Sequence, residues 1–227
     1  MTITTVKDAR EYLLYFLKGK SNPYEIKHPW RKEWEHVVLH SLRVEAYVLK
    51  ILAGEQHSLT ETEIRLLRLA AILHDIGRLE DSGNHATRGA EIARAWLETH
   101  SRERLKETDI NRVTEMIADH SNKHHQEADF SKAVLKDADI LDETGAISIF
   151  MASNWLDLHS PFFFHDLRKR LIDFEIPFCE QQLSRLNTNA AKEILNEKKS
   201  FIQSFISQLD DELQADHQIE TLLLASQ

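Results

Sequence analysis

The stretch LLRLAAILHDIGRLED, residues 66–81, constrains the fold more than any other part of the sequence. Up to Gly77 its only polar residues are Arg68, His74 and Asp75, and a helix that is apolar on every side is a buried helix. The pattern therefore predicts a central helix with His74 and Asp75 at its inner end. Because a buried carboxylate needs a partner, this pair is either two ligands of one cation or a core hydrogen bond beside the helix end.

Helix-breaking residues are scarce, with 6 glycines and 4 prolines among 227 residues, of which 42% are hydrophobic. No segment alternates apolar and polar residues as strands do, so the sequence favours an all-α fold. We predict one all-helical domain over residues 1–227, with its core at about 30–150 and a C-terminal helical extension at about 160–227.

Apolar spacing and breaker residues predict the boundaries of the individual helices. A capping box of Thr60 and Glu63 is predicted to open the central helix, and Gly19 to close the first one. The other predicted helices cover residues 5–18, 33–53, 84–98, 108–120, 131–144, 146–158, a short stretch between Pro161 and Pro177, 189–213, and part of the tail.

Charge and cysteine content bound the partners and the compartment. The net charge of −9 argues against binding to nucleic-acid polymers, whose phosphates need a basic surface, but is compatible with a small anionic substrate. The only cysteine is Cys179, which excludes an intrachain disulfide and fits a reducing compartment. We see no signal-peptide pattern and no apolar run of membrane-spanning length, so we expect a cytoplasmic protein without a membrane partner. The oligomeric state stays open.

Three segments bring histidines and aspartates together in a recognisable order: HSLRV with His40, LAAILHDIGR with His74 and Asp75, and LKDADILDETGAISI with Asp139. The gaps between them are 34 residues (74 − 40) and 64 residues (139 − 75). In order and context, these segments resemble the HD superfamily of metal-dependent phosphohydrolases over roughly residues 30–150. The later segment TNAAKEILNEKKSFIQSFISQLDDEL resembles the C-terminal helix of the small bacterial HD hydrolases.

The resemblance implies an HD-domain helical bundle in which His40, His74, Asp75 and Asp139 bind one divalent cation. Two imidazoles and two carboxylates suit Mn²⁺, Fe²⁺, Co²⁺, Ni²⁺ or Zn²⁺, whereas Mg²⁺ prefers sites made of oxygen atoms alone. Helical periodicity does not choose between Asp139 and Asp142. The resemblance assigns the ligand role to Asp139, which leaves Asp142 a supporting or capping role.

Two more histidines bear on the number of metals. His85, in NHATRGAEIA, and His120, in IADHSNKHH, are similar in position to ligands of a second metal in the HD-GYP cyclic dinucleotide phosphodiesterases, although the GYP signature is missing. The alternative is that both histidines bind the substrate's phosphate beside one tight metal, and we favour this alternative. His124 and His125 are expected to be solvated.

Basic residues near the motifs are candidates for binding phosphate. Arg43 lies three residues after His40 and shares its helix face, so it is the first choice for a bidentate grip on phosphate and for a catalytic role. Arg78 and Arg88 are further substrate-binding candidates, whereas Lys123 is expected to be a surface cation. Asp137 is expected to be solvated, and the Phe162–Phe164 run is expected to pack in the core.

The leading hypothesis is a metal-dependent phosphohydrolase that acts on a small phosphate ester or anhydride, with nucleotides as the substrate class. Asp75 would orient the attacking water. The resemblance to small HD hydrolases, some of which position the water with acids just after the His-Asp turn, makes Glu80 and Asp81 further candidates for that role. Two alternatives stay open: a two-metal phosphodiesterase acting on (cyclic di)nucleotides through His85 and His120, and a nucleotide-sensing module that retains metal without turnover.

Overall fold

The computed structural model describes residues 6–23, 32–100, 105–123 and 126–214, and it confirms the all-α prediction within these ranges. The one departure from helices and turns there is an isolated antiparallel bridge between Ser21 and Glu33. The helices are α1 (Val6–Leu17), α2 (Trp34–Gly54), α3 (Glu61–Leu73), α4 (His85–His100), α5 (Glu107–Asp119), α6 (Phe130–Asp142), α7 (Ala146–Ser153), α8 (Phe163–Arg170), a π-helical segment (Leu171–Glu175), α9 (Ile176–Leu183) and α10 (Asn189–Leu213). The expected tail helix and the loop residues His124 and His125 lie outside the described ranges.

Most predicted boundaries agree with these helices to within a residue or two. The capping box is confirmed, because Glu63 N donates to Thr60 Oγ1 while Thr60 N donates to Glu63 Oε2. The short helix predicted between Pro161 and Pro177 does not stop before Pro177, because α9 runs from Ile176 to Leu183. Pro177 lies in the first turn of α9, where the amide hydrogen that proline lacks is not needed for the helical hydrogen bonds.

The described residues divide into two compact units, and the prediction of a single domain stays a prediction. The first unit comprises the chain up to Asp142 together with Arg185–Ala191. At its centre lies α3, which packs against α1, α2, α4, α5 and α6. Every residue of α3 from Leu69 to Leu73 is fully buried, as expected for a helix that is apolar on all sides.

Two buried carboxylates tie helices of this first unit together. Glu45 of α2 accepts hydrogen bonds from Arg10 of α1 and Arg68 of α3. Asp137 of α6 accepts hydrogen bonds from four groups just before α10: the backbone nitrogen and the side chain of Asn187, and the backbone nitrogen and the side chain of Thr188. The expectation that Asp137 is solvated is therefore wrong, because this residue is 0% exposed and serves as the acceptor for a helix start.

The second unit comprises Glu143–Ser184 and the chain from Lys192 onward. Leu167, Leu171 and Cys179 are buried in it. Phe162 and Phe164 are 59% and 56% exposed, so the expectation that they pack in the core is wrong. Across the described part of the chain, no helix is both long enough and apolar enough to cross a membrane.

Candidate metal centre

The His-Asp pair lies in a tight turn that begins where α3 ends. His74 is 0% and Asp75 1% exposed. The turn is closed by a hydrogen bond from Arg78 N to Asp75 O at 3.0 Å. Within it, His74 Nδ1 lies 2.8 Å from the carbonyl oxygen of Ala71, so this nitrogen carries the proton and Nε2 carries the lone pair.

Two glycines allow α4 to begin directly beside this turn. A Cβ atom on Gly77 would lie 2.6 Å from the backbone nitrogen of Gly89 and 2.7 Å from the carbonyl oxygen of His85, which is closer than side-chain carbon atoms approach. The close packing brings His85, the first residue of α4, to Asp75. His85 Nε2 lies 3.5 Å from Asp75 Oδ1.

Three other helices supply the remaining side chains of the cluster. His40 comes from α2, and Asp139 comes from the last turn of α6, against which α2 packs. His120 follows the last residue of α5. The side chain of His120 is 1% exposed, that of Asp139 is 6% exposed and that of His40 is 15% exposed, so the cluster is largely shielded from solvent.

The four residues with the implied ligand role come together. His40 Nε2 lies 3.1 Å from His74 Nε2, 3.2 Å from Asp139 Oδ1 and 3.6 Å from Asp75 Oδ2. His74 Nε2 lies 3.8 Å from Asp139 Oδ1 and 3.9 Å from Asp75 Oδ2. Two carboxylate oxygens and the Nε2 atom of His74 thus all lie within 3.6 Å of His40 Nε2.

The hydrogen bonds of the histidines show that this donor set fits a cation. Each imidazole of the cluster has an acceptor at Nδ1, which leaves Nε2 directed at the carboxylates. Three of them donate to a backbone carbonyl three residues earlier: His74 to Ala71, His85 to Ser82 and His120 to Ile117. His40 Nδ1 instead lies 2.8 Å from Asp142 Oδ2. The Nε2 lone pairs of His40 and His74 therefore face each other, and they repel unless a proton or a cation lies between them.

The protonation preferences follow from burial and from these partners. Burial lowers the pKa of His74 to about 3. Burial also acts to lower the pKa of His40, but hydrogen bonds to Asp139 and Asp142 outweigh it and raise that pKa to about 9. Although burial opposes ionisation, the pKa of Asp75 is held well below its usual range by the charge of Arg78, and that of Asp139 by the charge of Lys123. The carboxylates are thus ionised at neutral pH, as metal ligands must be.

A second group of atoms surrounds the other oxygen of Asp75. His85 Nε2 and His120 Nε2 each lie 3.5 Å from Asp75 Oδ1. Within the described ranges, both Asp75 Oδ1 and His120 Nε2 are buried without a hydrogen-bond partner. Such orphaned polar atoms are uncommon in protein interiors, where a buried polar atom pairs with a protein group, an ordered water or an ion. Asp75 Oδ2 thus faces His40 and His74, and Oδ1 faces His85 and His120. The two groups are contiguous, because the ligand atoms of His74, His120 and Asp139 also lie within 4.8 Å of one another.

Each buried carboxylate of the cluster also pairs with a cation. Arg78 Nε donates to Asp75 Oδ2, and its Nη2 lies 3.1 Å from His85 Nε2. The Lys123 ammonium lies 2.6 Å from Asp139 Oδ2. The expectation that Lys123 is a surface cation is wrong, because a loop after α5 turns it toward the cluster, and no local sequence pattern signals this.

Arg43 contacts the cluster through Asp142. Its Nε and Nη2 atoms lie 2.6 Å and 3.0 Å from the two oxygens of Asp142, which also accepts from His40. Asp142 therefore contacts the Nδ1 side of the His40 ring, which points away from His74. Asp139 contacts the Nε2 side of the same ring, which faces His74.

The remaining candidates pair with residues other than the proposed ligands. Arg88 donates to Glu80 and Glu91, so its contacts give no support to the expectation that it binds substrate, which stays a prediction. Glu80 is also paired with Lys20. Asp81 accepts from the backbone nitrogen of Asn84 in the loop before α4. Among the described residues, both acids therefore form hydrogen bonds near the start of α4 and with Lys20, not with the four proposed ligands.

Comparison with known proteins agrees with this architecture. Residues 37–144 match the family model described as HD domain. A predicted HD superfamily hydrolase from an uncultured Thermotogales bacterium has 19% sequence identity and a TM-score of 0.61, with 91% of each chain covered. An HD-superfamily hydrolase from Bacillus thuringiensis has 18% identity and a TM-score of 0.63, covering 92% of this chain and 97% of that one.

Two further proteins add to the comparison. Bacillus subtilis YpgQ, solved in complex with ADP, has 19% identity and a TM-score of 0.56, covering 92% of this chain and 98% of that one. Uncharacterized protein MJ0778 from Methanocaldococcus jannaschii is 39% identical over 61 residues, which are 26% of this chain and 36% of that protein. This chain thus spans about a third of that curated relative, and the solved structures show a shared fold.

Proposed function

This chain contains an HD domain, and from that premise we propose that it is a metal-dependent phosphohydrolase of small phosphate esters or anhydrides, with nucleotides as the substrate class. The observation that carries the proposal is the convergence of His40, His74, Asp75 and Asp139, since the ligand atoms of the other three residues all lie within 3.6 Å of His40 Nε2. The ADP in the YpgQ structure supports a nucleotide as the substrate.

We assign the metal to these four residues. Their mixture of imidazole and carboxylate donors suits Mn²⁺, Fe²⁺, Co²⁺, Ni²⁺ or Zn²⁺, with Mg²⁺ less favoured. When bound, such a cation supplies Lewis acidity, which makes water more acidic and phosphorus more electrophilic.

Asp75 is the catalytic residue of this proposal. Arg78 keeps its carboxylate ionised and fixes Oδ2. Asp75 Oδ1, which lacks a hydrogen-bond partner among the described residues, can accept a hydrogen bond from the attacking water and orient it toward phosphorus. His85 and His120 lie on this side of Asp75, where they would line the phosphate pocket together with Arg78. Arg78 can donate to a phosphoryl oxygen directly, whereas each histidine would do so only as an imidazolium, because its Nδ1 proton is used by a backbone carbonyl.

Arg43 fits a positioning role better than a direct grip on phosphate. Two of its nitrogens hold Asp142, and Asp142 in turn orients His40. A carboxylate behind a metal-binding histidine fixes its ring and raises its basicity. Arg43 would therefore act on the metal through Asp142 and His40.

A second candidate function, a two-metal phosphodiesterase, draws on a specific observation. Asp75 Oδ1, His85 Nε2 and His120 Nε2 all lie within 4.8 Å of one another. A cation there would satisfy the orphaned atoms, and Asp75 would bridge two metals. This group has one shared carboxylate and otherwise neutral imidazoles, so we keep the single-metal proposal first. Metal content of the parent and of His85→Ala and His120→Ala decides between them, since two equivalents falling to one would support the second candidate.

A turnover screen tests the main proposal. Nucleotides, cyclic dinucleotides and simple phosphate monoesters would be incubated with the protein and each of several divalent metals, and released phosphate, pyrophosphate and nucleotide would be quantified. We expect metal-dependent turnover that Asp75→Ala abolishes and that Asp211→Asn, an exposed change on α10, preserves. Absence of metal-dependent turnover across the screen, with metal bound, would leave the sensing alternative as the better account.

A further inference from the structure

Lys123 is a cation of the centre that the catalytic proposal leaves without a role. It follows α5 by a short turn, three residues after His120. Its ammonium lies 2.6 Å from Asp139 Oδ2, and 22% of its side chain is exposed. It therefore reaches a buried carboxylate from a position that still borders solvent.

The two carboxylate oxygens of Asp139 contact different partners. Oδ1 faces the histidine pair, at 3.2 Å from His40 Nε2 and 3.8 Å from His74 Nε2. Oδ2 faces Lys123. Lys123 can therefore keep its ion pair while Oδ1 acts as a ligand, so the ammonium need not leave when the centre is loaded.

The other two cations of the centre are held more firmly. Arg43 uses two nitrogens to grip Asp142. Arg78 contacts both Asp75 and His85, and its side chain is 15% exposed. Lys123 differs because an ammonium has three N–H donors and, among the described residues, its side chain pairs with one group, the Asp139 carboxylate.

We propose that Lys123 binds a non-bridging phosphoryl oxygen of the substrate, while Asp139 Oδ2 holds its ammonium at the edge of the metal centre. This inference rests on the proposed function. It adds a substrate-binding residue and says that the phosphate of the substrate reaches the proposed metal ligands from the side of Asp139. An anion in contact with Lys123 lies beside Asp139 and can reach the position that His40, His74 and Asp139 surround. A compact, flexible cation is suited to this role, since phosphoryl oxygens move during transfer.

The test measures binding of inorganic phosphate to full-length protein at saturating Mn²⁺ by isothermal titration calorimetry. The variants are Lys123→Ala, Lys123→Arg and, as a matched control, Lys50→Ala, which removes an exposed lysine of α2. We expect Lys123→Ala to raise the Kd for phosphate by about tenfold to a hundredfold, the range for a hydrogen bond between charged groups. Lys123→Arg should recover most of the affinity, and Lys50→Ala should match the parent.

A merely structural role predicts a different result. If Lys123 only neutralises Asp139, its loss should tighten Mn²⁺ binding and leave phosphate binding unchanged. A Kd for phosphate within twofold of the parent in Lys123→Ala would overturn the inference, as would a parent protein that binds no phosphate at saturating Mn²⁺. Lys123-dependent phosphate binding without turnover of any ester would support the inference and count against the proposed function. Metal-dependent turnover together with phosphate binding that does not depend on Lys123 would support the proposed function and overturn the inference.

Discussion

Replacement of Asp142 is the most direct perturbation of the metal centre that leaves all four proposed ligands in place. Asp142 is 3% exposed and accepts from His40 Nδ1 at 2.8 Å, while Arg43 holds it from the other side. Asp142→Ala removes the side-chain acceptor that His40 Nδ1 has among the described residues. His40 then loses the partner that fixes its ring and its protonation state.

The expected loss of metal affinity follows from this geometry. Removing the hydrogen-bond partner of a metal-binding histidine costs about tenfold to a hundredfold in affinity, or about 1.4–2.7 kcal/mol. Asp142→Asn keeps one oxygen as an acceptor for His40 Nδ1 but loses the charge, so we expect roughly a tenfold loss or less. The Arg43 side chain is 40% exposed and can return to water, so we expect the cost in folding stability to lie near 1–2 kcal/mol, below that of breaking a fully buried ion pair.

The assay is competition for Mn²⁺ between the protein and a chelator of known affinity. Thermal unfolding at fixed excess Mn²⁺ gives an independent measure, since a hundredfold weaker Kd removes about 2.7 kcal/mol of metal-dependent stabilisation. Asp211→Asn serves as the control because it removes an exposed carboxylate of α10. Equal Mn²⁺ affinity in the parent and in Asp142→Ala would refute the argument that Asp142 supports the metal through His40.

Three further predictions test the packing around the centre and the folding units. Gly77→Ala should lower the free energy of unfolding by about 2 kcal/mol or more in urea titrations, because its Cβ would collide with the backbone of α4. Asp137→Ala should lower it by about 2–4 kcal/mol, because donors of Asn187 and Thr188 lose their acceptor, while metal content stays at the parent value. Burial raises the pKa of Glu175 above its ordinary 4.5, so the folded state binds this proton more tightly and stability falls as pH rises through that window. Glu175→Gln should therefore raise the Tm at pH 7, with the gain fading below about pH 4.5.

Each of these predictions has a result that contradicts it. A Gly77→Ala protein as stable as the parent would mean that α4 can move away from the turn at little cost. Loss of metal by Asp137→Ala would mean that the start of α10 supports the centre. An equal Tm gain for Glu175→Gln at pH 4 and pH 7 would mean that packing, not ionisation, limits stability at this position.

The fold could be predicted from the sequence because its signals are local. The apolar stretch of α3, the Thr60–Glu63 capping box and the scarcity of breakers each act within a few residues, and each has the expected structural outcome. The predictions failed where a partner distant in sequence decides the environment. Asp137 looked solvated because its partners, Asn187 and Thr188, lie about fifty residues later in the chain.

In the candidate site, too, some features could be predicted from the sequence and others depend on partners distant in the chain. The order of His40, His74, Asp75 and Asp139 identified the residues that converge, because their family context was recognisable. Which cation pairs with which carboxylate could not be predicted, since Lys123 reaches Asp139 from a loop without any pattern. Arg43 shares a face with His40 as expected, but its donors are taken by Asp142, a choice that only the packing of α2 on α6 determines.

The hydrogen bonds of the histidines also differ in whether the partner is near or distant in sequence, and this difference predicts the order in which the site forms during folding. His74 and His120 are each oriented by a carbonyl three residues earlier, so each ring is set as soon as its own helix and turn form. His40 is oriented by Asp142, which lies 102 residues away in sequence, so its ring is set only when α2 docks on α6. A cation that binds His40 together with Asp139 therefore stabilises that docked arrangement over any state in which the two helices separate. Metal binding should accordingly slow hydrogen exchange in α2 and α6 more than in α5, and equal protection of all three helices would contradict this order of assembly.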